Sequence, residues 1–231
     1  MTVSRTIEPE WLDSLPGNDA GAVRSRRDIR RLNSLMLHDR IVARELLRHM
    51  VGTPRTIVEI GAGDGVFMLS ASRRLVARWR NVSITLLDRQ DIVREETRQR
   101  FAALGWRAQP SVTDVFEFLE EAHEFDVIIA NLFLHHFRES DLARLFRHAA
   151  GLAPLFIACE PRRSFAALQA SQLVWAIGCN RVTRHDAATS ARAGFRGKEL
   201  SHLWPKDEGW ELYERPAGLF SHCFVARHAK L

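Results

Sequence analysis

The run Val58-Glu59-Ile60-Gly61-Ala62-Gly63-Asp64-Gly65-Val66 sets three glycines between a β-branched stretch and a helix-like apolar one. Without Cβ atoms the backbone can turn tightly there and approach a ligand closely. The amides that open the following helix favour a ligand's negative groups. The spacing is G-x-G-x-G, with Val66 where the dinucleotide fingerprint needs its last glycine, which argues against nicotinamide chemistry. Asp88 ends the next apolar run, 25 residues beyond Gly63. A carboxylate there can accept hydrogen bonds from both hydroxyls of a ribose. Thr113-Asp114-Val115 closes a third, weaker run, where an acceptor could take the amino group of an adenine. Plainer readings stay open: Asp64 as a turn residue and Asp114 as a helix cap.

A second group of candidates follows the apolar run Phe125 to Ala130, in Asn131-Leu132-Phe133-Leu134-His135-His136-Phe137. A histidine that titrates near neutrality can remove a phenolic or enolic proton as the oxygen attacks. Two adjacent histidines on a turn are not expected to face one pocket together, so His135 is preferred over His136. His185, in the polar cluster Arg184-His185-Asp186, is the next candidate base. The alternatives are rings packed on the sheet or holding a backbone carbonyl.

Four elements in this order and register, Glu59 to Gly65, Asp88, Asp114-Val115 and Phe125 to Asn131, resemble those of the class I S-adenosylmethionine-dependent methyltransferases. The resemblance covers roughly residues 55 to 231. It implies that Glu59 and the backbone of Gly61, Ala62, Gly63 and Gly65 bind the methionine part of S-adenosyl-L-methionine. Asp88 would hold the ribose, Arg89 would lie against the adenine, Asp114 would take its amino group with Val115 alongside, and Asn131 would sit under the sulfonium. Enzymes of this class that methylate planar amides or adenine amino groups usually carry Asn-Pro-Pro-aromatic after the fourth strand. Leu132 and Phe133 depart from that pattern, and the histidine pair looks like the small-molecule type that acts on quinones, polyketides and secondary metabolites. The expected partner is a small aromatic or polyketide-like methyl acceptor, with O-methylation favoured and no metal required. Two rivals remain: a methyltransferase of RNA or protein, and a module that binds the cofactor without catalysis.

The elements that must position these residues alternate between strand and helix. Strands are expected at Thr56 to Ile60, Val82 to Leu87, Arg107 to Val112, Phe125 to Ala130 and Leu155 to Cys159. Helices are expected at Val66 to Trp79, Ile92 to Leu104, Val115 to Ala122 and Ser140 to Ala150. Near-continuous apolar strands between helices are what a parallel sheet covered on both faces requires. Trp210 to Arg215 and Cys223 to Arg227 read as a closing hairpin. The expected fold is therefore α/β, a Rossmann-like three-layer αβα sandwich on a seven-stranded, mostly parallel sheet with an antiparallel last strand. Residues 1–54 are expected to be an arm and helices that cover the site, with helical periodicity from Ser25 through Met50. Residues 55–231 would form the main domain, with an acceptor-site insertion at about 162–205. This insertion is expected to be helical: Phe165 to Cys179 reads as one long helix, then a polar, glycine-containing stretch follows before a short helix from Lys198 to Leu203.

Composition narrows the class. Of 231 residues, 46% are hydrophobic and 26% charged, which fits a globular domain with its own core. No apolar run reaches the ~20 residues needed to cross a bilayer. The N-terminus lacks the apolar region of a secretory signal. Three scattered cysteines suggest neither a disulfide framework nor a zinc cluster, so a cytoplasmic location is expected. The net charge of +5 sets 33 basic residues against 28 acidic ones; thirty of the basic residues are arginines, spread along the chain. Without aromatics interleaved among them, nucleic acid is disfavoured as a partner. Oligomeric state leaves no mark in the sequence.

Overall fold

The computed structural model describes residues 4–229. Seven strands form one sheet: β1 (Thr56–Ile60), β2 (Ser83–Asp88), β3 (Arg107–Val112), β4 (Val127–Asn131), β5 (Leu155–Pro161), β6 (Trp210–Pro216) and β7 (Ser221–His228). Their spatial order is β3-β2-β1-β4-β5-β7-β6. Pairings are parallel through β5, and β7 runs antiparallel to both β5 and β6. The expected seven-stranded α/β architecture is what forms.

Period-two alternation divides the core between the two faces of the sheet. Ile57, Val127 and Ile129 point to one side, where Val42, Leu46, Met68 and Leu69 meet them. Val58, Ile60, Ile128 and Ala130 point to the other, against Leu142, Leu145, Phe146 and Trp204. The first side is covered by α3 (His38–His49), α4 (Val66–Leu75) and α5 (Glu95–Ala103). The second is covered by α6 (Val115–Glu121), α7 (Glu139–Leu152) and α10 (Glu199–Leu203), which completes the three layers.

The chain order reverses between β1 and β4, so the loops after their carboxyl ends diverge and leave a crevice. The remaining elements close over it. They are α1 (Trp11–Ser14), α2 (Ala20–Leu35), α8 (Phe165–Gln172) and α9 (Arg181–Ala193).

Two local expectations are corrected, and one stretch gains an element. The first long helix begins at Ala20, not Ser25, because Asp19 caps it by accepting from the Ala22 amide at 2.9 Å. Phe165 to Cys179 is not one helix: α8 ends at Gln172 and a 3₁₀ turn, Val174–Ile177, follows. The polar stretch beyond, given no element in the sequence reading, contains α9, which carries His185 and is capped by Asn180 on the Thr183 amide at 2.8 Å. The buried side of α9 sets Thr183, Asp186 and Thr189 beside only two small apolar residues, Ala191 and Ala193. The Thr183 hydroxyl bonds Ser25 Oγ at 2.9 Å and Asp28 Oδ2 at 3.2 Å on α2. A helix that packs through hydroxyls and carboxylates carries no apolar stripe for a sequence reading to find.

Among the described residues no helix is long and apolar enough to cross a membrane.

Candidate active site

A cavity of about 1030 Å³ occupies the crevice. Its floor is the glycine turn. Gly61 has φ 71°, and a Cβ there would lie 2.2 Å from Cδ2 of Phe133, so the turn can pass beneath that ring only as glycine. Gly63 has φ 56°, and open space lies where its Cβ would be. The Gly63 amide donates to Asp88 Oδ2 at 2.8 Å, and the Gln90 amide donates to Oδ1 at 2.9 Å. Asp88 thus braces the turn while each of its oxygens keeps a lone pair for a ligand.

Glu59 is the unusual group. It is 1% exposed and lines the cavity, yet its Oε2 has no hydrogen-bond partner among the described residues. Burial, and then the neighbouring carboxylates Asp64 and Asp88, push its pKa well above the ordinary range. A buried carboxyl beside two further acids calls for a cationic ligand. The methionine end of S-adenosylmethionine, with its ammonium and sulfonium, has that chemistry, so Glu59 and the open floor at Gly63 fit this cofactor.

Along the same wall lie Ala62, Arg89, Asp114 and Val115. Asp114 also caps α6, accepting from the Phe116 amide at 2.9 Å, so its plainer role and its place in the cavity coexist. The third glycine, Gly65, opens α4 and is not part of the lining.

At the other end the 3₁₀ turn Leu134–His136 carries the histidine pair. Contrary to expectation, both rings line the cavity, with centroids 4.3 Å apart. Their surroundings differ. His135 is 3% exposed; its Nδ1 lies 2.8 Å from Glu160 Oε2 and its Nε2 lies 3.2 Å from Glu10 Oε1. Burial alone would lower its pKa, but the two carboxylates outweigh that and raise it to about 10. Burial likewise works against Glu10 and is overcome by His135, leaving the carboxyl at about 2. With both nitrogens donating to carboxylates, His135 has no lone pair with which to receive a proton. His136 is half-buried, with Nδ1 3.3 Å from Asp13 Oδ2. His185 is not brought to this place: it stacks on Trp11 at 4.0 Å, bonds Asp186 and borders a smaller surface hollow.

Asn131, 7% exposed at the end of β4, receives a hydrogen bond from His38 Nδ1 on its Oδ1 at 2.8 Å. His38 Nε2 in turn accepts from Ser221 Oγ at 2.7 Å. Burial pushes the His38 pKa down to about 4, so the ring is neutral and its tautomer is fixed by these two partners.

The cover is tied down by Asp186, whose two oxygens accept from the Trp11 and Leu12 amides at 2.9 and 3.0 Å. Arg5 adds bonds to the carbonyls of Ala193 at 2.8 Å and Phe137 at 2.9 Å. Sequence reasoning missed Glu10, His38, Glu160 and Asp186 as parts of the site. Glu160 left a usable signal, a lone acid inside the otherwise apolar strand β5. Glu10 left none.

With this geometry in view, residues 57–153 match the family model described as a methyltransferase domain. The chain has the fold of the class I S-adenosylmethionine-dependent methyltransferases. Among solved structures, it is similar to the plantazolicin methyltransferase BpumL in complex with SAH. Identity is 14%, coverage is 91% of each chain and the TM-score is 0.62. Magnesium protoporphyrin IX methyltransferase from Synechocystis PCC 6803 with bound SAM is similar at 12% identity, over 88% of this chain and 83% of that one, with a TM-score of 0.56. An O-methyltransferase family protein from Burkholderia thailandensis shares 18% identity over 76% of this chain, with a TM-score of 0.52. The chain spans about half of that protein, 51% of its length. A comparison with curated proteins finds no match.

Proposed function

We propose that the protein is an S-adenosylmethionine-dependent methyltransferase that methylates an oxygen of a small, largely apolar acceptor. The observation that carries this reading is the buried, unpartnered carboxyl oxygen of Glu59 on a glycine floor flanked by Asp64 and Asp88. In this reading Glu59, Gly61, Ala62 and Gly63 hold the methionine moiety, with Gly65 only shaping the turn into α4, Asp88 holds the ribose, and Arg89, Asp114 and Val115 the adenine. The bound cofactor supplies an electrophilic methyl group on a sulfonium, whose sulfur keeps the bonding electrons.

The chain's own residues then act by placement. The neutral His38 turns the amide of Asn131 toward a single orientation beneath the reacting centre. Arm, α2, α8 and α9 exclude water and hold the acceptor oxygen in line with the methyl group. His136 is the histidine suited to take the acceptor's proton, because His135 is committed to Glu10 and Glu160. The apolar character of the acceptor is supported at the mouth of the cavity, where Leu35, Leu173 and Ile177 are 66%, 59% and 45% exposed.

The test has two arms. S-adenosylhomocysteine at a hundredfold excess over its Kd should stabilise the protein by about 2.7 kcal/mol. A panel of phenols, quinols and enols incubated with labelled cofactor should then yield a methylated product. Absence of any thermal shift at millimolar ligand defeats the reading, and transfer only to RNA or protein redirects it.

A further inference from the structure

We propose that Glu10, His135 and His136 form a site for one divalent transition-metal cation, zinc(II) above all, at the acceptor end of the cavity. The part ascribed to the cation in catalysis rests on the methyltransferase reading above; its binding does not.

A carboxylate oxygen of Glu10 and one ring nitrogen from each histidine all lie within 4.8 Å of one another. His135 Nε2 and Glu10 Oε1 are 3.2 Å apart. That is the spacing two ligands keep around a shared ion when each bond is about 2.1 Å. Two imidazoles with one carboxylate suit zinc and its neighbours, whereas magnesium and calcium prefer sets made wholly of oxygen. Three protein ligands leave a position open toward the cavity, as catalytic rather than structural sites do.

A second observation points the same way. Glu160 is fully buried, and its Oε1 is anchored by the Phe133 and Leu134 amides, both at 2.9 Å. Its Oε2 bonds His135 Nδ1 at 2.8 Å. A carboxylate on one ring nitrogen is the device that aims the other nitrogen at a metal and raises its basicity. An ion bound between Nε2 and Oε1 would take the place of the hydrogen bond that now joins them. The ligands come from the arm and from the turn after β4, so the ion would also join cover to core. In the loaded protein the ion, instead of His136, would hold and polarise the acceptor oxygen.

The full chain, stripped with a chelator, is titrated with Zn²⁺ alone by calorimetry and with Co²⁺ alone by visible absorption. One ion per chain and the bands of low-coordinate cobalt are expected. Glu10→Gln and His136→Asn should each weaken binding by at least about tenfold, while circular dichroism and S-adenosylhomocysteine binding show that both variants remain folded. Absence of saturable one-to-one binding overturns the site. So does unchanged affinity in both variants, which would place the ion elsewhere. Homocysteine-cofactor binding without zinc binding removes the cation site and leaves the methyltransferase reading; zinc binding at these residues without cofactor binding does the reverse.

Discussion

His38 and Asn131 are joined by a 2.8 Å hydrogen bond between the first residue of α3 and the end of the fourth strand, both side chains buried. Because the amide oxygen of Asn131 can only accept, His38 donates from Nδ1 and must accept at Nε2 from Ser221. Protonation would place a hydrogen on Nε2, so the Ser221 hydroxyl would have to turn and accept.

This relationship sets a pH dependence. The folded ring has its pKa lowered from 6.5 to about 4. Between those values the unfolded chain binds more protons than the folded one, so stability rises with pH across the window and falls as the solution is acidified from 6.5 toward 4. The shift corresponds to about 3 kcal/mol at most. Urea unfolding at several pH values should show that slope, and His38→Gln should flatten it. An unchanged slope in the variant would exclude His38 as its source.

Glu59→Gln separates binding from folding. The carboxyl gains nothing from its neighbours in the empty site, so the amide should leave the melting temperature unchanged or raise it. Affinity for S-adenosylhomocysteine should fall by about ten- to a hundredfold, the worth of a hydrogen bond to a charged group. Calorimetry of the two proteins checks both halves.

Gly61 and Gly63 should respond differently to alanine. At Gly61 the new Cβ meets the Phe133 ring, so the loss should appear in stability, by several degrees of melting temperature. At Gly63 the new Cβ enters open space on the cavity floor. Beyond the ~1–2 kcal/mol of left-handed strain, the loss there should appear in cofactor affinity. Equal effects on binding from both variants would contradict this division.

Asp186 pins the arm through two amides. Asp186→Ala should speed proteolytic nicking in residues 4–19 and weaken global stability by about 1–3 kcal/mol. If the arm forms part of the acceptor pocket, KM for the acceptor should rise while affinity for S-adenosylhomocysteine stays close to wild type. Limited proteolysis followed by mass spectrometry, with steady-state kinetics, reads both effects.

The sheet was legible in the sequence because its central strands are buried on both faces and therefore read as unbroken apolar runs, such as Val127 to Ala130 and Leu155 to Cys159. The glycine turn was legible because Gly61 to Gly65 sits at the joint between such a run and a helix. The cover was legible only in outline. Helix α9 buries Thr183, Asp186 and Thr189 beside Ala191 and Ala193, so no apolar stripe marks where this helix lies within the expected helical insertion. The partners of the histidine pair were hidden for a different reason. Glu10 and His135 stand 125 residues apart, and local spacing carries no information about a contact at that range. Hence the sequence favoured His135 as a base on its position alone, where the two acids around its ring favour His136.

The seventh strand lies inside the sheet rather than at its border, with Ser221 at its first residue holding His38. During synthesis, β5 is left with an unpaired margin and Asn131 with an unsteadied ring above it until residues 221–228 have emerged and inserted. In the reading proposed above, competence for methyl transfer would thus be acquired at a late moment of the protein's assembly, and a nascent product cut short before Ser221 would own a glycine floor but lack the residue that holds His38 against Asn131.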